Sequence, residues 1–292
     1  MDDIENNPIP TYQTYLLKHL TKVYSARKET VRTDWTRYSD LLIDKFAIHS
    51  STLYHLFNGI IERPSSDLNA RTTSFDLFSV NSIIRVLIET YIAFNHIFVS
   101  ASSEGEKEFR FLLWQLDGLL EQKKFRVNNS DFEEVESILN ENKSRIENLF
   151  VQIENNIFYK SLPEEQSIKI FNKKEKKYNW KYKITDGLLI RPLQIIELLE
   201  MTCVARIFVN SYRYTSIHTH SGFISIEHFE KMRGKEVSDD YINPLATQSI
   251  ILTIFLINDI CSIDANAQNV FLTFADKDRE NIIGINTVCR KV

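Results

Sequence analysis

Glycine and proline are scarce in this sequence, with seven glycines and six prolines among 292 residues. A β-sandwich or β-barrel needs a turn about every 8–12 residues, and such turns are usually built with glycine, proline or asparagine. The scarcity therefore argues against a strand-rich fold. Hydrophobic residues make up 43% of the chain and aromatic residues 12%, which is ample material for a packed interior. We predict an all-α globular protein.

Cysteine and net positive charge are also lacking. The three cysteines, Cys203, Cys261 and Cys289, are far apart and odd in number, which argues against a disulfide framework and fits a reducing compartment. They also lack the paired spacing of a zinc site. The formal net charge of -4 argues against a general nucleic-acid coat protein, which is normally basic overall, but it leaves room for a local basic groove.

Long hydrophobic runs are absent as well. The longest extends from Ile250 to Ile257 and is interrupted by Thr253, far short of the roughly 20 residues of a membrane-spanning helix. The first ten residues are acidic and polar, unlike a signal peptide. We therefore expect a cytoplasmic protein without membrane contact. The sequence contains no glycine-rich phosphate loop and no nucleophile elbow, which argues against the common nucleotide hydrolases and dehydrogenases.

Apolar residues recur at helical spacing along most of the chain. The predicted helices cover about 11–62 (as two helices), 74–100, 106–124, 130–153, 192–216 and 244–260. Any β structure is expected at about 165–185, as a short hairpin or an ordered loop. Pro64 and the two serines after it offer the best boundary between an N-terminal helical extension, 1–67, and a larger helical domain, 68–292. A loop within a single domain explains the same stretch equally well.

A polar row interrupts the apolar helix predicted at 74–100. Asn81, Arg85 and Glu89 follow one another at four-residue spacing, which places them on one helical face. Because a buried charge without a partner is costly, we expect Arg85 and Glu89 to pair inside the core. The row then either fixes the position of the helix as a structural salt bridge or lines the same polar cleft as two later residues, Arg213 and His220.

An arginine and two histidines stand near the end of a later predicted helix. Arg213 and His220 are seven residues apart, and seven residues turn a helix by about 700°, so their side chains would share one face. His218 would lie well off that face. Arginine can neutralise charge on a reacting phosphate, and histidine can transfer protons near neutral pH. A metal site is not favoured, because no carboxylate or cysteine in this segment completes a usual ligand set.

Together these patterns resemble the HEPN superfamily, whose all-helical ribonucleases carry an arginine, four to six residues and then a histidine. The wider context is similar to that of bacterial proteins with a HEPN-like core. Those share an Arg-x-x-x-Glu pair on an apolar helix, here Arg85 and Glu89, followed by a tyrosine, a serine and a histidine before a glycine-containing turn, here Tyr212, Ser216 and His220. The resemblance covers roughly residues 70 to 260.

The resemblance implies a HEPN-like helical bundle with the activity of a metal-independent endoribonuclease, a hydrolase without a cofactor. In such an enzyme a 2′-hydroxyl attacks the adjacent phosphate. Arg213 would stabilise the developing charge, and His220, or less readily His218, would assist proton transfer. Five further residues would support the pocket: Asn81, Arg85, Glu89, Tyr212 and Ser216. The resemblance also implies RNA as substrate, a homodimer, and a role in a bacterial toxin or antiviral defence system with its own partner protein.

Tyr214 departs from the ribonuclease pattern, in which a small polar residue commonly follows the arginine. This departure favours an alternative. The chain would then be a non-catalytic HEPN-like module that binds RNA or a nucleotide, or that only mediates assembly. The sequence leaves both functions open.

A basic segment offers a second place for RNA to bind. Seven lysines and one acidic residue lie between Lys169 and Lys183. Lysines can contact phosphates, and aromatic rings can stack on unpaired bases. We therefore predict RNA contacts from six residues of this segment: Lys173, Lys174, Lys176, Lys177, Tyr178 and Trp180. The alternative is a solvated surface hairpin whose alternate aromatic residues face inward.

Overall fold

The computed structural model describes residues 7–28, 31–33, 35–61, 73–74, 76–124, 133–170, 179–185, 188–202, 206–220, 222–232 and 239–291. Helices dominate these residues, which confirms the predicted all-α fold. The chain forms two compact units. Unit 1 combines Met1–Asn95 with Leu199–Val292, and unit 2 is His96–Leu198.

The helices and strands in chain order are as follows. The first half contains α1 (Pro8–Gln13), a π-helical stretch (Thr14–Leu20), α2 (Thr21–Arg27), α3 (Arg37–Phe57), β1 (Ile60–Ile61), β2 (Thr73–Ser74), α4 (Leu77–Phe94), a second π-helical stretch (Asn95–Val99), α5 (Glu104–Gln122) and α6 (Glu133–Asn155). The second half contains α7 (Ile157–Ser161), α8 (Glu164–Ile170), β3 (Tyr182–Thr185), β4 (Leu188–Pro192), α9 (Ile195–Thr202), α10 (Arg206–Thr219), α11 (Phe223–Met232), α12 (Asp239–Ile263), α13 (Ala265–Leu272) and α14 (Asp276–Lys291).

Helix α4 occupies the core of unit 1. The carboxylate of Asp76 begins this helix by accepting hydrogen bonds from the backbone amides of Phe78 and Ser79, at 3.1 and 3.0 Å. Its apolar side chains, such as Ile84 and Leu87, are fully buried. The helix packs against α3, α10 and α12. The predictions of a buried helix near 74–100 and of its packing against the helix that ends after Ser216 are therefore confirmed.

Helix α3 ends in a left-handed residue. Asn58 follows the last helical residue, and Gly59 has a φ angle of 85°. This conformation suits glycine because no Cβ atom clashes with the backbone, and it allows the chain to leave the helix. The short antiparallel pair β1–β2 follows at once.

The C-terminal part of unit 1 holds more helix than the sequence predicted. The apolar run in α12 is buried, with Ile254, Phe255 and Ile257 fully inaccessible. This confirms it as core. Helix α12 also packs against α13 and α14, neither of which was predicted. The carboxylate of Asp264 accepts a hydrogen bond from the backbone amide of Ala267 at 3.0 Å and so begins α13.

Unit 2 is built on the packing of α5 against α6 and α7. Ser103 caps the start of α5 by accepting a hydrogen bond from the backbone amide of Glu106, while the Glu106 carboxylate accepts one from the backbone amide of Ser102. This reciprocal arrangement resembles a capping box. Phe109 of α5 and Ile153 of α6 are fully buried and form part of the core.

The β structure corrects two expectations. Strands were expected only at about 165–185, but Glu164–Ile170 is helix α8, the hairpin β3–β4 extends to Pro192, and a second strand pair lies at β1–β2. Pro192 was expected in the first turn of a helix. It is instead the last residue of β4, a strand-end position where the missing N–H is tolerated, and α9 starts three residues later.

Two helices are long and apolar enough to cross a membrane, by length and composition alone. They are Leu77–Val99 and Tyr241–Ile263, and 61% and 72% of their apolar windows are buried inside the protein. The core helices of globular proteins are also largely buried. The expected cytoplasmic location stays a prediction, as does the division of the chain after residue 67.

Candidate functional site

Arg85, Glu89 and Tyr212 form a closed hydrogen-bonded triangle in unit 1. The Nε atom of Arg85 donates to Oε1 of Glu89 at 3.0 Å. The hydroxyl of Tyr212, on α10, donates to the same carboxylate oxygen at 2.8 Å and accepts from Nη2 of Arg85 at 3.2 Å. The guanidinium also lies over the Tyr212 ring, 5.0 Å from its centroid. The triangle therefore joins α4 to α10 by two hydrogen bonds and one cation–π contact.

The triangle stabilises the protonated forms of Tyr212 and Arg85. Burial, and then the hydrogen bond and negative charge of Glu89, raise the pKa of Tyr212 to about 12. Burial alone would lower the pKa of Arg85, but its contacts with Glu89 and Tyr212 outweigh that effect and raise it. At neutral pH the tyrosine is therefore a hydroxyl donor and the arginine a cation.

The pairing of Arg85 with Glu89 was predicted and is confirmed, but its predicted depth is wrong. The side chain of Arg85 is 22% exposed and that of Glu89 is 41% exposed. The pair thus lies at the edge of the core, where water reaches the carboxylate. Asn81, one turn earlier on α4, is fully buried, and its amide nitrogen donates to the carbonyl of Leu77 at 2.8 Å. Its side-chain oxygen has no hydrogen-bond partner within the described part of the chain.

Arg213 lies on the surface in the middle of α10, and His220 lies on the surface just after its end. Both residues are exposed, and α10 ends at Thr219, one residue before His220. Among the described residues, no hydrogen bond or ion pair joins either side chain to the triangle or to the other. The shared polar cleft near Arg85 and Glu89 that the sequence predicted is therefore not formed by direct contacts. The guanidinium and the imidazole are instead open to a molecule that approaches from solvent.

Ser216 and His218 point to other partners. The Ser216 hydroxyl donates to the backbone carbonyl of Tyr212 at 2.6 Å, within its own helix. His218 is buried, with 5% exposure, and its Nε2 atom is 3.5 Å from Nδ1 of His228 on α11. Tyr214 packs edge-on against His218 with ring centroids 4.6 Å apart. The residue that departs from the ribonuclease pattern therefore serves the packing of α10.

His228 contacts the predicted site residue His218, and sequence reasoning did not single it out. It follows His218 by ten residues, across the turn between α10 and α11. No helical periodicity links two residues on different helices, so spacing could not have paired them. The only available signal was the histidine itself, in a segment of mainly apolar and charged residues.

Most of the predicted RNA-binding segment lies outside the described residues. This holds for Lys173, Lys174, Lys176, Lys177 and Tyr178. Trp180 is described and lies inside unit 2 at 9% exposure, with its ring centroid 5.7 Å from that of His96. Its ring therefore makes a core contact in this unit.

In the described ranges, no group of three or more histidine, cysteine, aspartate or glutamate side chains could hold a metal ion. Helices α10 and α11 and the turn between them carry one cation, Arg213, and three imidazoles, His218, His220 and His228. Such a set can bind a phosphate and transfer protons.

Comparison with known proteins places the chain in a family. A family model described as a family of unknown function, DUF5677, matches residues 75–237. The chain belongs to this family. The DUF5677 region contains every site residue predicted from the sequence, and also His228, but it ends before α12. No curated protein and no solved structure gives a significant match.

Proposed function

We propose that this member of the DUF5677 family is a metal-independent endoribonuclease of the HEPN type that acts at the C-terminal end of α10. The observation that carries the proposal is that Arg213 in α10 and His220 just after it are both exposed, with neither side chain engaged in an ion pair among the described residues. An RNA strand is too large to enter a closed cavity, so it needs groups that are free at the surface.

In the proposed reaction a 2′-hydroxyl of RNA attacks the adjacent phosphorus and the 5′-oxygen leaves. This leaves a 2′,3′-cyclic phosphate. Arg213 neutralises charge on the phosphorane, and His220 transfers a proton to or from the reacting oxygens. The triangle of Arg85, Glu89 and Tyr212 supports the site, because it fixes α10 against α4 and so holds Arg213 in place.

The biological setting belongs to the same proposal. On the HEPN resemblance, the protein works in the bacterial cytoplasm as a homodimer, within a toxin or antiviral defence system that includes a partner protein. The basic segment between Lys169 and Lys183 would add phosphate contacts along the RNA.

A second candidate function is a non-catalytic module that binds RNA or a nucleotide. Two observations favour it. Tyr214 stands where ribonucleases of this type carry a small polar residue, and it is committed to packing on His218. In addition, no described residue makes a hydrogen bond that orients His220, whereas a proton-transfer group is usually held by a neighbour.

The deciding experiment incubates the purified protein with labelled single-stranded RNA, transfer RNA and total RNA in the presence of EDTA. We expect cleavage products that end in a 2′,3′-cyclic phosphate. Arg213→Ala and His220→Ala should each lower the cleavage rate by about a hundredfold or more. Arg37→Ala removes another exposed arginine of unit 1 and should have no effect. Full activity in both site variants would refute the assignment. Wild-type protein that binds RNA but never cleaves it would favour the binding module.

A further inference from the structure

Two imidazoles meet where α10 contacts α11. His218 comes from α10 and is buried, whereas His228 comes from α11 and is half-buried. Nε2 of His218 and Nδ1 of His228 are 3.5 Å apart, and the ring centroids are 5.2 Å apart with the planes inclined by 33°. One ring can therefore donate a hydrogen bond to the other, and the donor depends on the tautomers present.

Aromatic rings hold the buried member of this pair. His218 makes edge contacts with Phe78 of α4 and with Tyr214 of its own helix, at centroid distances of 5.5 and 4.6 Å. Phe78 in turn contacts Phe229, one residue after His228. The ring of His218 is therefore fixed on several sides, and it fixes the orientation of His228 through the hydrogen bond.

The same surroundings keep His218 neutral. Burial, and then the nearby His228, lower the pKa of His218. Apart from His228, the only titratable side chain in ring contact with His218 among the described residues is Tyr214, and burial raises the pKa of that hydroxyl. At neutral pH the Nε2 atom of His218 is thus available to accept the Nδ1 proton of His228, which leaves the other ring nitrogen of His228 free to bind a proton.

We infer that His228 is a second proton-transfer residue of the proposed RNA site and that His218 is its positioning residue. The inference rests on the proposed function. A general base is usually oriented by a third group that accepts its second ring proton. His218 provides that acceptor here, and it stands two residues before His220 on the same chain segment.

Two proton-transfer residues complete the reaction without any further reactant. As the 2′-oxygen forms its bond to phosphorus, the 2′-hydroxyl proton passes to Nε2 of His228. As the bond between phosphorus and the 5′-oxygen breaks, that oxygen takes a proton from protonated His220. No electron is gained or lost, and the two imidazoles exchange their protonated and neutral forms.

The first test measures single-turnover RNA cleavage by the full chain between pH 5 and 9. We expect His228→Gln to lower the cleavage rate about a hundredfold. The rise of the rate with pH that comes from deprotonation of the general base should also disappear. His218→Phe keeps an aromatic ring but removes the hydrogen-bond acceptor for His228. We expect the cleavage rate to fall about tenfold and its dependence on pH to shift. His55→Gln, which changes an exposed histidine of α3, should match the wild type.

The second test does not depend on activity. In a histidine-edited NMR titration of the full chain, His228→Gln should raise the pKa of His218, because the nearby charge that lowers it is removed. An unmoved His218 titration would show that the two rings are not coupled and would overturn the inference.

The failures of the two proposals can be told apart. An active wild type whose rate and pH profile survive His228→Gln overturns the role of His228 alone and leaves Arg213 and His220 in place. Full activity after Arg213→Ala and His220→Ala overturns the proposed site. An inert wild type overturns both.

Discussion

Tyr212 uses one hydroxyl group for two hydrogen bonds, donating to Glu89 and accepting from Arg85. The tyrosine is 5% exposed, so water cannot fully replace these partners. We expect Tyr212→Phe to lower the free energy of unfolding by about 1–2 kcal/mol, measured by urea denaturation. Tyr241→Phe, at a residue that is 55% exposed, should change it by less than about 0.5 kcal/mol. Equal effects of the two substitutions would contradict the importance of the triangle.

The depth of the Arg85–Glu89 pair changes what its removal should cost. The sequence placed the pair inside the core, where loss of one partner costs about 3–5 kcal/mol. With the Glu89 side chain 41% exposed, the remaining charge can be hydrated, so the smaller value argued for Tyr212 is the relevant scale. Four-residue spacing was enough to predict the contact. It could not predict the exposure, which depends on what packs beside α4.

Cys261 is a buried thiol with no role in either proposed function. Burial, and then the negative charge of Asp264, raise the pKa of Cys261 to about 12. Because the thiolate is the reactive form, we expect iodoacetamide at pH 7.5 to modify Cys261 at least about tenfold more slowly than Cys289, as followed by peptide mass spectrometry. Cys289 serves as the control because it is a free cysteine that is only half-buried. The difference should vanish in urea, and labelling of Cys261 at the rate of Cys289 in the folded protein would contradict it.

Helix α14 is held to the rest of unit 1 by a hydrogen-bond network around one buried carboxylate. Asp259 of α12 accepts hydrogen bonds from Tyr91 at 2.8 Å, Asn95 at 2.7 Å and Arg290 at 2.7 Å. Its side chain is 3% exposed, whereas that of Arg290 is 26% exposed. Three donors thus converge on one acceptor from three different elements of the unit.

Removing that acceptor should loosen the C-terminal helix. We expect Asp259→Ala to cost about 3 kcal/mol of unfolding free energy, since buried donors lose their partner. Asp276→Ala breaks another aspartate–arginine pair of α14, with Arg279, but the Asp276 side chain is 83% exposed and the loss should stay below about 1 kcal/mol. Hydrogen exchange of α14 should accelerate in the first variant only. Equal protection of α14 in both would show that the network does not hold this helix.

The elements that the sequence predicted well are those with a strong local pattern. α4 and α12 are apolar along most of their length, and α5 begins at a recognisable cap. Helix α13 has only eight residues, and α14 carries charge in its first turn and exposes Ile283 and Val288. Their helical pattern is therefore weak, and tertiary packing against α12 stabilises them. The hairpin was misplaced because two residues of α8, Ile168 and Ile170, alternate with polar neighbours as a strand would.

At the scale of the whole molecule, composition predicted the fold class. Scarce glycine and proline predicted an all-α protein, and this was correct. The two compact units could not be predicted, because unit 1 joins residues from both ends of the chain, and unit 2 is the segment between them in sequence. The same limit applies to the site. Local spacing found Arg85 with Glu89, but the contacts of Tyr212 with α4 and of His218 with α11 depend on packing between helices.

Buried histidines should make the stability of the whole protein depend on pH. Burial is the main cause that lowers the pKa of His19, His96 and His218 below the ordinary value of 6.5. Between these lowered values and 6.5 the unfolded chain binds more protons than the folded one, so the free energy of unfolding falls as the pH falls. The contribution is complete above about pH 6.5 and is lost below it, at up to about 1.4 kcal/mol for each histidine and pH unit.

We expect the urea midpoint at pH 5.5 to lie clearly below that at pH 7.5. His96→Gln should flatten this dependence, whereas His55→Gln, at an exposed position, should not. A midpoint that stays constant between the two pH values would show that these imidazoles are not held neutral by the fold.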